Sequence, residues 1–367
     1  MKKTIVVSGI NLFEGGTLSV YKDLCQDFVD KKIYDEYNVI MFVHKKELFT
    51  EYLKYFEILE LPKSREGWLK RIYYEYWYFH KFSKNKDIYL WISIHDMTPR
   101  VKCEHLMTYC HNATPFYKAD KSIWKLDKKV YLFSHFYKYL YKINIKKNDF
   151  IIVQQRWMAN AFQEMYHLKK VKVFYPQVKE EEVCQYAQTQ DSKYLFFYPT
   201  FPRVFKNAEI ICEAIQVLNQ RSHLNYEAVI TLSEEQNPYS AEVIGKYKHV
   251  KNVCFIGKID RQEVFEYYNR ATCLVFPSKL ETWGIPISEF KAFHKPIIIA
   301  DLEYAHEAIN NYDLVSFFNP DDVNELADKM EALMNGKLQF EVIQDSNYKT
   351  DFKSWKEVIK EVEGKEL

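Results

Sequence analysis

The stretch CLVFPSKLETWGIPISEFKAFHKPIIIA, residues 273–300, decides the fold class. Its first residues, Cys273 to Phe276, are apolar and predict a short buried strand. Pro286 suits the first turn of a helix, because the N–H that proline lacks has no helical partner there. Pro296 to Ala300 predicts a second strand. A strand, a helix and a strand in close succession are typical of a parallel α/β sheet.

The same alternation continues on both sides of this stretch. TIVVS at 4–8 predicts a strand, and regularly spaced apolar residues at 17–30 predict a helix after it. Further strands are predicted at Tyr37–Val43, Ile88–Ile94, His105–Tyr109, Phe150–Val153, Tyr194–Tyr198, Glu227–Thr231 and Val253–Ile256, and further helices at Ala208–Gln220 and Arg261–Asn269. A polar stretch at 177–193 predicts a linker. We therefore predict two doubly wound, Rossmann-like α/β domains, 1–176 and 177–350, that face a central cleft.

Composition narrows the class of protein. A net charge of +1 argues against a nucleic-acid binder, and 47% hydrophobic residues argue against disorder. Seven scattered cysteines in a large chain indicate reduced thiols. The apolar run Ile5–Val7 is too short for a signal peptide, and no run reaches the roughly 18 apolar residues of a membrane span. We expect a cytoplasmic protein, either free or held on the inner face of the cytoplasmic membrane.

Two glutamates frame the loop and helix of the opening stretch. Glu281 precedes Gly284, and Glu289 lies in the first turn of the helix predicted from Pro286. Gly284 lets backbone N–H groups approach a ligand, and a helix start favours phosphate. A carboxylate at Glu289 can accept two hydroxyl hydrogen bonds, as from a ribose, and Glu281 can bind hydroxyls of a second group. The same pattern also fits an ordinary helix start with an acidic residue.

A second glycine-containing segment, SGINLFEGGTLSV at 8–20, follows the first predicted strand. Its glycine spacing does not fit the dinucleotide fingerprint G-x-G-x-x-G, which disfavours a hydride-transfer enzyme. Gly15 and Gly16 precede a predicted helix, so their N–H groups could meet an anion or a sugar. A tight turn without a ligand explains the pair equally well.

The segment PSKLETWGIPISEFKAFHKPII resembles the E-x7-E signature of retaining glycosyltransferases of family 4, which have the GT-B fold. The matching positions are Glu281, Gly284, Pro286 and Glu289, and Trp283 stands where phenylalanine is commoner. The segment Val173–Pro176 resembles the end of the family's N-terminal domain but lacks its Asn-Gly. The resemblance implies an acceptor-side domain at 1–176, a nucleotide-sugar-binding domain at 177–350, and a C-terminal helix in 351–367 that crosses back to the first domain.

The resemblance also implies a basic pair that holds the donor diphosphate. Lys206-Asn207 resembles the Lys-Gly before the family's helix. The family's arginine lies five or six residues before that lysine, whereas Arg203 lies three before it. A guanidinium and an ammonium would stabilise the charge of the leaving diphosphate without a metal. Exposed, solvated basic residues are the alternative.

Histidines follow two of the predicted strands of the first domain. His111, next to Asn112, resembles the family's histidine that touches the transferring sugar, and His95 ends the preceding strand. Either could instead be a hydrogen-bonded loop residue. Cys103, His105, Cys110 and His111 are close in sequence, but strand alternation turns them to different faces, so we do not predict a metal site.

Residues 116–147 are rich in lysine and aromatic residues, as is the shorter segment 68–82. Such a face can lie on an anionic membrane and reach a lipid-linked acceptor. Helices that pack their aromatic residues inward and leave lysine outside give the same composition.

As a whole, the resemblance implies a metal-independent hexosyltransferase that needs no cofactor. It would move a hexose from a GDP-, UDP- or dTDP-linked donor to a saccharide or lipid-linked acceptor, with retention, in O-antigen, capsule or lipopolysaccharide synthesis. Its implied catalytic residues are His111, Arg203, Lys206 and Glu281. Its implied donor-binding residues are Gly15, Gly16, Arg203, Lys206, Trp283, Gly284, Ile285 and Glu289, with His95 and Asn112 on the acceptor side. A GT-B epimerase, a phosphorylase and a non-catalytic carbohydrate-binding protein are the alternatives.

Overall fold

The computed structural model describes residues 2–176, 193–341, 343 and 348–364. Within these limits the chain forms two compact units. Unit 1 comprises Met1–Pro115, Phe136–Gln177 and Lys349–Leu367, and unit 2 comprises Phe116–His135 and Val178–Tyr348, each as far as it is described. The predicted linker at 177–193 lies almost entirely outside the described residues.

Unit 1 is built on a parallel sheet of seven described strands in the order β3-β2-β1-β4-β5-β6-β7. These strands are β1 (Lys3–Gly9), β2 (Tyr37–Val43), β3 (Glu57–Glu60), β4 (Leu90–Ser93), β5 (His105–Cys110), β6 (Phe150–Val153) and β7 (Val171–Val173). Ile5 pairs with Val39 on one side and with Leu90 on the other, so β1 is central. Central parallel strands are covered on both faces, which explains their continuous apolar runs.

The helices of unit 1 cover both faces of this sheet. They are α1 (Gly15–Asp30), α2 (Ile33–Glu36), α3 (Trp68–Tyr73), α4 (Phe79–Lys84), α7 (Arg156–Tyr166) and α14 (Trp355–Val362). A π-helical turn, Tyr74–Tyr78, joins α3 to α4. The final helix α14 packs on α1, where Trp355 N donates to the Asp27 carboxylate at 2.7 Å. The C-terminal segment thus belongs to unit 1 although it follows unit 2 in the chain.

Unit 2 contains a parallel sheet of six described strands in the order β10-β9-β8-β11-β12-β13. They are β8 (Tyr194–Tyr198), β9 (Tyr226–Ile230), β10 (Val253–Phe255), β11 (Cys273–Phe276), β12 (Ile297–Ala300) and β13 (Val315–Phe318). The helices are α5 (Ile123–Leu126), α8 (Ala208–Arg221), α9 (Pro238–Tyr247), α10 (Arg261–Arg270), α11 (Ile285–Lys291), α12 (Glu303–Ile309) and α13 (Val323–Met334). Two doubly wound α/β units are therefore present, as the sequence predicted.

Residues 116–135 group with unit 2, although the sequence-based boundary placed them in the first domain. Helix α5 packs on α9, and Asp127 at its end forms an ion pair with Arg203. Helix α6 (Lys128–Lys142) contributes its first half to unit 2 and its second half to unit 1. The prediction was wrong here because the partners of this segment, Arg203 and helix α9, lie at least 76 residues later in the chain.

Candidate functional site

The switch point of the second sheet lies between β8 and β11. From β8 the chain proceeds outward to β9 and β10, and it then returns to β11 on the other side of β8. Because the two strands are parallel neighbours, the loops that follow them leave from the same edge of the sheet. Doubly wound sheets bind ligands at this position. The two loops carry Lys206 and Glu281.

Lys206 and Glu281 form an ion pair across the switch point. Their side chains keep only 17% and 10% of their surface exposed. The backbones of the two loops are also joined, because Lys279 N donates to Phe205 O at 2.7 Å. The structure thus brings together two residues that the sequence predicted for one site.

Two buried tyrosines surround this ion pair, and the sequence did not point to either. Tyr198 OH donates to Lys206 O at 2.9 Å, and Tyr304 OH donates to Ser278 O at 2.7 Å. Burial raises the pKa of both phenols well above the ordinary value, and the charge of Glu281 raises it further. Both tyrosines therefore remain neutral hydrogen-bond donors that fix the two loops.

Asn207 holds the turn between Lys206 and α8. Its backbone is left-handed, with φ 55° and ψ 38°, a conformation that asparagine tolerates better than most residues. Its Nδ2 donates to Pro320 O at 2.8 Å and to Pro277 O at 3.3 Å. This explains how asparagine can stand where the resembling family has glycine.

Arg203 does not have the environment that we expected for a diphosphate-binding residue. Its Nη1 lies 3.5 Å from Asp127 Oδ2 and donates to Pro202 O at 3.2 Å. Asp127 is buried, so this ion pair satisfies a carboxylate inside unit 2. Nothing in the local sequence indicates this ion pair, because 76 residues separate the partners.

Glu289 lies on α11 and is almost fully buried. Tyr268 OH donates to its Oε2 at 3.0 Å, and Arg261 Nη1 lies 2.9 Å from its Oε1. Both donors come from α10, so Glu289 ties α11 to α10. Each carboxylate oxygen can accept more than one hydrogen bond, so these contacts do not preclude a ribose hydroxyl.

The turn before α11 is fixed by Gly284 and Trp283. Gly284 has φ 82°, and a Cβ there would lie 2.6 Å from Ile287 Cδ1. The Trp283 indole donates to Ser288 Oγ at 2.8 Å, and α11 begins at Ile285. The positive φ therefore favours glycine at this position, and a larger residue would also require the end of the Ile287 side chain to move.

In unit 1 the corresponding switch point lies between β1 and β4, and the Gly15-Gly16 segment follows β1. Helix α1 begins at Gly15, so the two glycines are its first residues. Our interpretation of this pair as a loop before the helix was therefore wrong. Gly15 has φ 64°, which explains why glycine stands there.

His95 follows β4 and is completely buried. Its Nδ1 donates to Ser8 O at 2.8 Å, and its Nε2 contacts the carboxylate of Glu75. His95 is thus held on both sides by protein groups. The sequence did not indicate Glu75, which lies in the π-helical turn.

His111 follows β5, and its backbone N–H and that of Asn112 donate to Asp96 Oδ1 at 2.8 and 3.1 Å. Its Nε2 lies 4.0 Å from the same oxygen. Burial lowers the pKa of His111, and this outweighs the nearby Asp96 carboxylate, which acts to raise it. Asn112 Oδ1 accepts from Thr114 N at 3.0 Å, so its side chain stabilises the loop.

The cysteine and histidine residues near β5 do not converge. His105 contacts Asp149 at 3.3 Å, while Cys110 is buried. In the part of the chain that the structure describes, no group of three or more His, Cys, Asp or Glu side chains is placed to hold a metal ion. Among the described helices, none is both long and apolar enough to cross a membrane.

The fold is similar to that of several solved proteins. The chain is similar to a solved glycosyltransferase from Rickettsia africae ESF-5, with a TM-score of 0.64 and 16% identity over 91% of this chain and 88% of that one. It is also similar to HepE of Anabaena in complex with UDP and glucose, with a TM-score of 0.59 and 13% identity over 90% of this chain and 89% of that one. Both matches extend over both units, so the fold is that of GT-B glycosyltransferases.

The sequence comparisons are more specific. Residues 178–350 match the model of the family described as Glycosyl transferases group 1. The O-antigen chain mannosyltransferase RfbU of Salmonella typhimurium (strain LT2) is 23% identical over 219 residues, which cover 58% of this chain and 56% of RfbU. The chain thus aligns with little more than half the length of this relative. Together these similarities support a glycosyltransferase of the GT-B fold.

Proposed function

We propose that the chain is a retaining glycosyltransferase that moves a hexose from a nucleotide diphosphate sugar to a saccharide or lipid-linked acceptor in the synthesis of a bacterial surface polysaccharide, such as O-antigen or capsule. The observation that carries this proposal is the Lys206–Glu281 ion pair at the switch point of unit 2. It lies within the segment that matches the glycosyltransferase family model. The name of RfbU supports the polysaccharide class.

In the proposed reaction Lys206 binds the donor diphosphate and Glu281 binds hydroxyls of the sugar. The bond between the anomeric carbon and the phosphate oxygen breaks, and its electron pair stays on the diphosphate. The acceptor oxygen bonds to the same face of the anomeric carbon, and its proton passes to the leaving phosphate. An ammonium in a largely buried site stabilises the charge that develops on that phosphate.

The other predicted residues support this scheme in different ways. Glu289 would accept the ribose hydroxyls, with Trp283, Gly284 and Ile285 forming the adjacent turn. Arg203 already shares Nη1 with Asp127, so we assign Lys206 the main part. The neutral imidazole of His111 would contact the transferring sugar. With cationic side chains on the phosphates, the scheme requires neither a metal nor a cofactor.

A nucleotide panel tests the donor site. Thermal unfolding is measured with UDP, GDP, dTDP and CDP, because a ligand that binds the native state raises the midpoint by mass action. Transfer is then assayed with hexoses linked to the nucleotide that binds, and a mannose donor is included because of the name of RfbU. No shift with any nucleotide at millimolar concentration contradicts the donor site. Proton NMR of the product reads the anomeric configuration and thus tests retention.

The same assays separate the alternatives. An epimerase would convert the nucleotide sugar without an acceptor, and a carbohydrate-binding protein would bind without turnover. Addition of EDTA or of a divalent metal tests metal independence. We expect transfer only with an acceptor present, and a rate that EDTA does not change.

We further propose that unit 1 touches an anionic membrane through residues 136–147. The exposed side chains here include Phe136, Tyr139 and Ile143, at 59%, 60% and 41%. Lys142, Lys146 and Lys147 are exposed beside them. Sedimentation with vesicles tests the contact. We expect binding to vesicles that contain phosphatidylglycerol, weaker binding by Tyr139→Ser/Ile143→Ser, and little binding to phosphatidylcholine alone.

A further inference from the structure

Unit 1 contains a buried group of charged side chains that the scheme above does not use. Glu75 and His95 are completely buried, and Arg71 is 9% exposed. Glu75 lies in the π-helical turn Tyr74–Tyr78, a rare conformation that is frequent at functional sites. Its Oε1 contacts His95 Nε2, while its buried Oε2 has no hydrogen-bond partner among the described residues.

This group lies at the switch point of the first sheet. His95 Nδ1 donates to the carbonyl of Ser8, which belongs to β1, and His95 itself follows β4. Arg71 Nη2 donates to the carbonyl of His95 at 2.7 Å. Because Nδ1 donates to a carbonyl, it carries a proton, and the remaining ring nitrogen faces the Glu75 carboxylate. The imidazole therefore links β1, β4 and the π-helical turn.

Asp96, the residue after His95, connects His95 to His111. Asp96 has φ 76°, a left-handed conformation that is strained for a residue with a side chain. Its Oδ1 accepts from the N–H groups of His111 and Asn112, and Tyr141 OH lies 3.1 Å from it. His95 is thus held by protein groups on both sides of its ring. The next residue, Asp96, provides the carboxylate that holds the backbone of His111.

A contribution to stability does not by itself explain why Glu75 is buried at this position. A buried ion pair often contributes no more than apolar residues of the same size, and a buried polar atom without a partner is destabilising. This site at the switch point contains both a buried ion pair and a buried polar atom without a partner among the described residues. It is therefore a candidate for a functional role.

We propose that Glu75 is a positioning residue for His111. Glu75 fixes the His95 ring, the His95–Asp96 peptide keeps the strained backbone of Asp96, and the Asp96 carboxylate holds the backbone of His111, which places its ring for contact with the transferring sugar. This inference rests on the proposed function, since it assumes that His111 acts in sugar transfer.

The main test is Glu75→Gln, which keeps the volume of the side chain but changes its charge and hydrogen bonding. In steady-state transfer we expect kcat to fall about tenfold to a hundredfold with little change in the donor KM, since small displacements of an acting group cost rates of this order. NMR of ¹⁵N-histidine-labelled protein is the second readout, and the ring signals of His111 should shift. Glu66→Gln, at an exposed glutamate just before α3, is the matched control and should behave as wild type.

Wild-type kcat in folded Glu75→Gln would overturn the inference, and so would a lower kcat with unchanged His111 signals. If Glu75→Gln does not fold, Tyr141→Phe replaces it, because it removes a hydroxyl from the Asp96 carboxylate without removing a charge. We expect Tyr141→Phe to lower kcat and to shift the ring signals of His111. Wild-type kcat and unchanged signals would count against the inference. Failure of the proposed function appears separately, as a wild-type protein that neither binds nucleotides nor transfers sugar, and the NMR readout still tests the positioning of His111.

Discussion

Lys206 and Glu281 are 75 residues apart in the chain and form an ion pair between the loops that follow neighbouring parallel strands. Their side chains are largely buried, so each compensates the charge of the other in an environment of low polarity. A diphosphate that bound Lys206 would compete with Glu281 for the same ammonium. The pair therefore links the stability of unit 2 to the proposed donor site.

Removing one partner of this pair should destabilise the protein. We expect Lys206→Met and Glu281→Gln each to lower the free energy of unfolding by about 3 kcal/mol, because the remaining group stays buried without its partner. The double variant Lys206→Met/Glu281→Gln should lose less than the sum of the two single losses, because no charge is then left buried without its partner. Denaturant unfolding measures it, and Lys279→Met, which breaks the exposed contact with Asp321, is the control and should change stability by less than about 1 kcal/mol. Additive losses in the double variant would show that the two groups do not interact.

The two glutamates should differ in their effect on ligands. Glu289→Ala should weaken nucleoside diphosphate binding about tenfold or more, since it removes hydrogen bonds to a charged group. Glu281→Ala should not weaken that affinity, because it removes the group that competes for the Lys206 ammonium, and it should lower the rate of sugar transfer. Calorimetric titration and transfer kinetics measure the two effects. Tyr268→Phe, which removes only an internal donor to Glu289, controls for disturbance of α10 and α11. Equal effects of the two alanine variants on nucleotide affinity would contradict these roles.

Asn207 should be replaceable at a graded cost. Asn207→Gly keeps access to the left-handed backbone and loses the two side-chain hydrogen bonds, so we expect a loss of about 1–2 kcal/mol in unfolding free energy. Asn207→Ala also strains the backbone and should lose about 1 kcal/mol more. Thermal unfolding compares the two variants. If alanine is tolerated as well as glycine, the left-handed backbone is not what selects this residue.

His111 should make stability depend on pH. Burial lowers its pKa in the folded protein, whereas the unfolded chain has the ordinary value of 6.5. The unfolded state therefore binds the proton more readily, and the stability that the neutral ring contributes is complete above 6.5 and is lost as the pH falls below it toward the folded pKa. Unfolding midpoints from pH 8 to pH 5 should decline less steeply in His111→Gln than in wild type. The pKa of His44 is also lowered by burial, so the variant should retain part of the decline. Parallel curves for the two proteins would refute this assignment.

Much of the fold could be predicted, because a short run of apolar residues in the sequence indicates a buried strand at that place. The bounds of β2, β6, β8 and β11 coincide with the predicted strands. Strand β3 was not predicted, because its sequence EILE ends in charged residues at the edge of the sheet. Helix α1 begins earlier than predicted, because its first two residues are glycines without an apolar signal.

The sequence predicted those residues of the site that belong to a recognisable motif. Lys206 and Glu281 were expected in one site because both match motifs of the resembling family, and the sheet order brings their loops together. Arg203 was assigned a role that ignored Asp127, and Glu75 was not considered, since nothing local in either stretch reveals a partner from another element. Contacts of this kind depend on packing, which the spacing of residues along the chain does not encode.

The allocation of residues 116–135 to unit 2 has a consequence for dissecting the protein. A fragment that ended at residue 176 would contain α5 and Asp127 without α9 and Arg203, and it would leave a buried carboxylate and apolar side chains uncovered. A fragment that began at 177 would lack the same segment and would expose the opposite side of that contact. Recombinant halves divided between residues 176 and 177 should therefore aggregate, and a chimera that exchanges unit 2 should carry residues 116–135 with it.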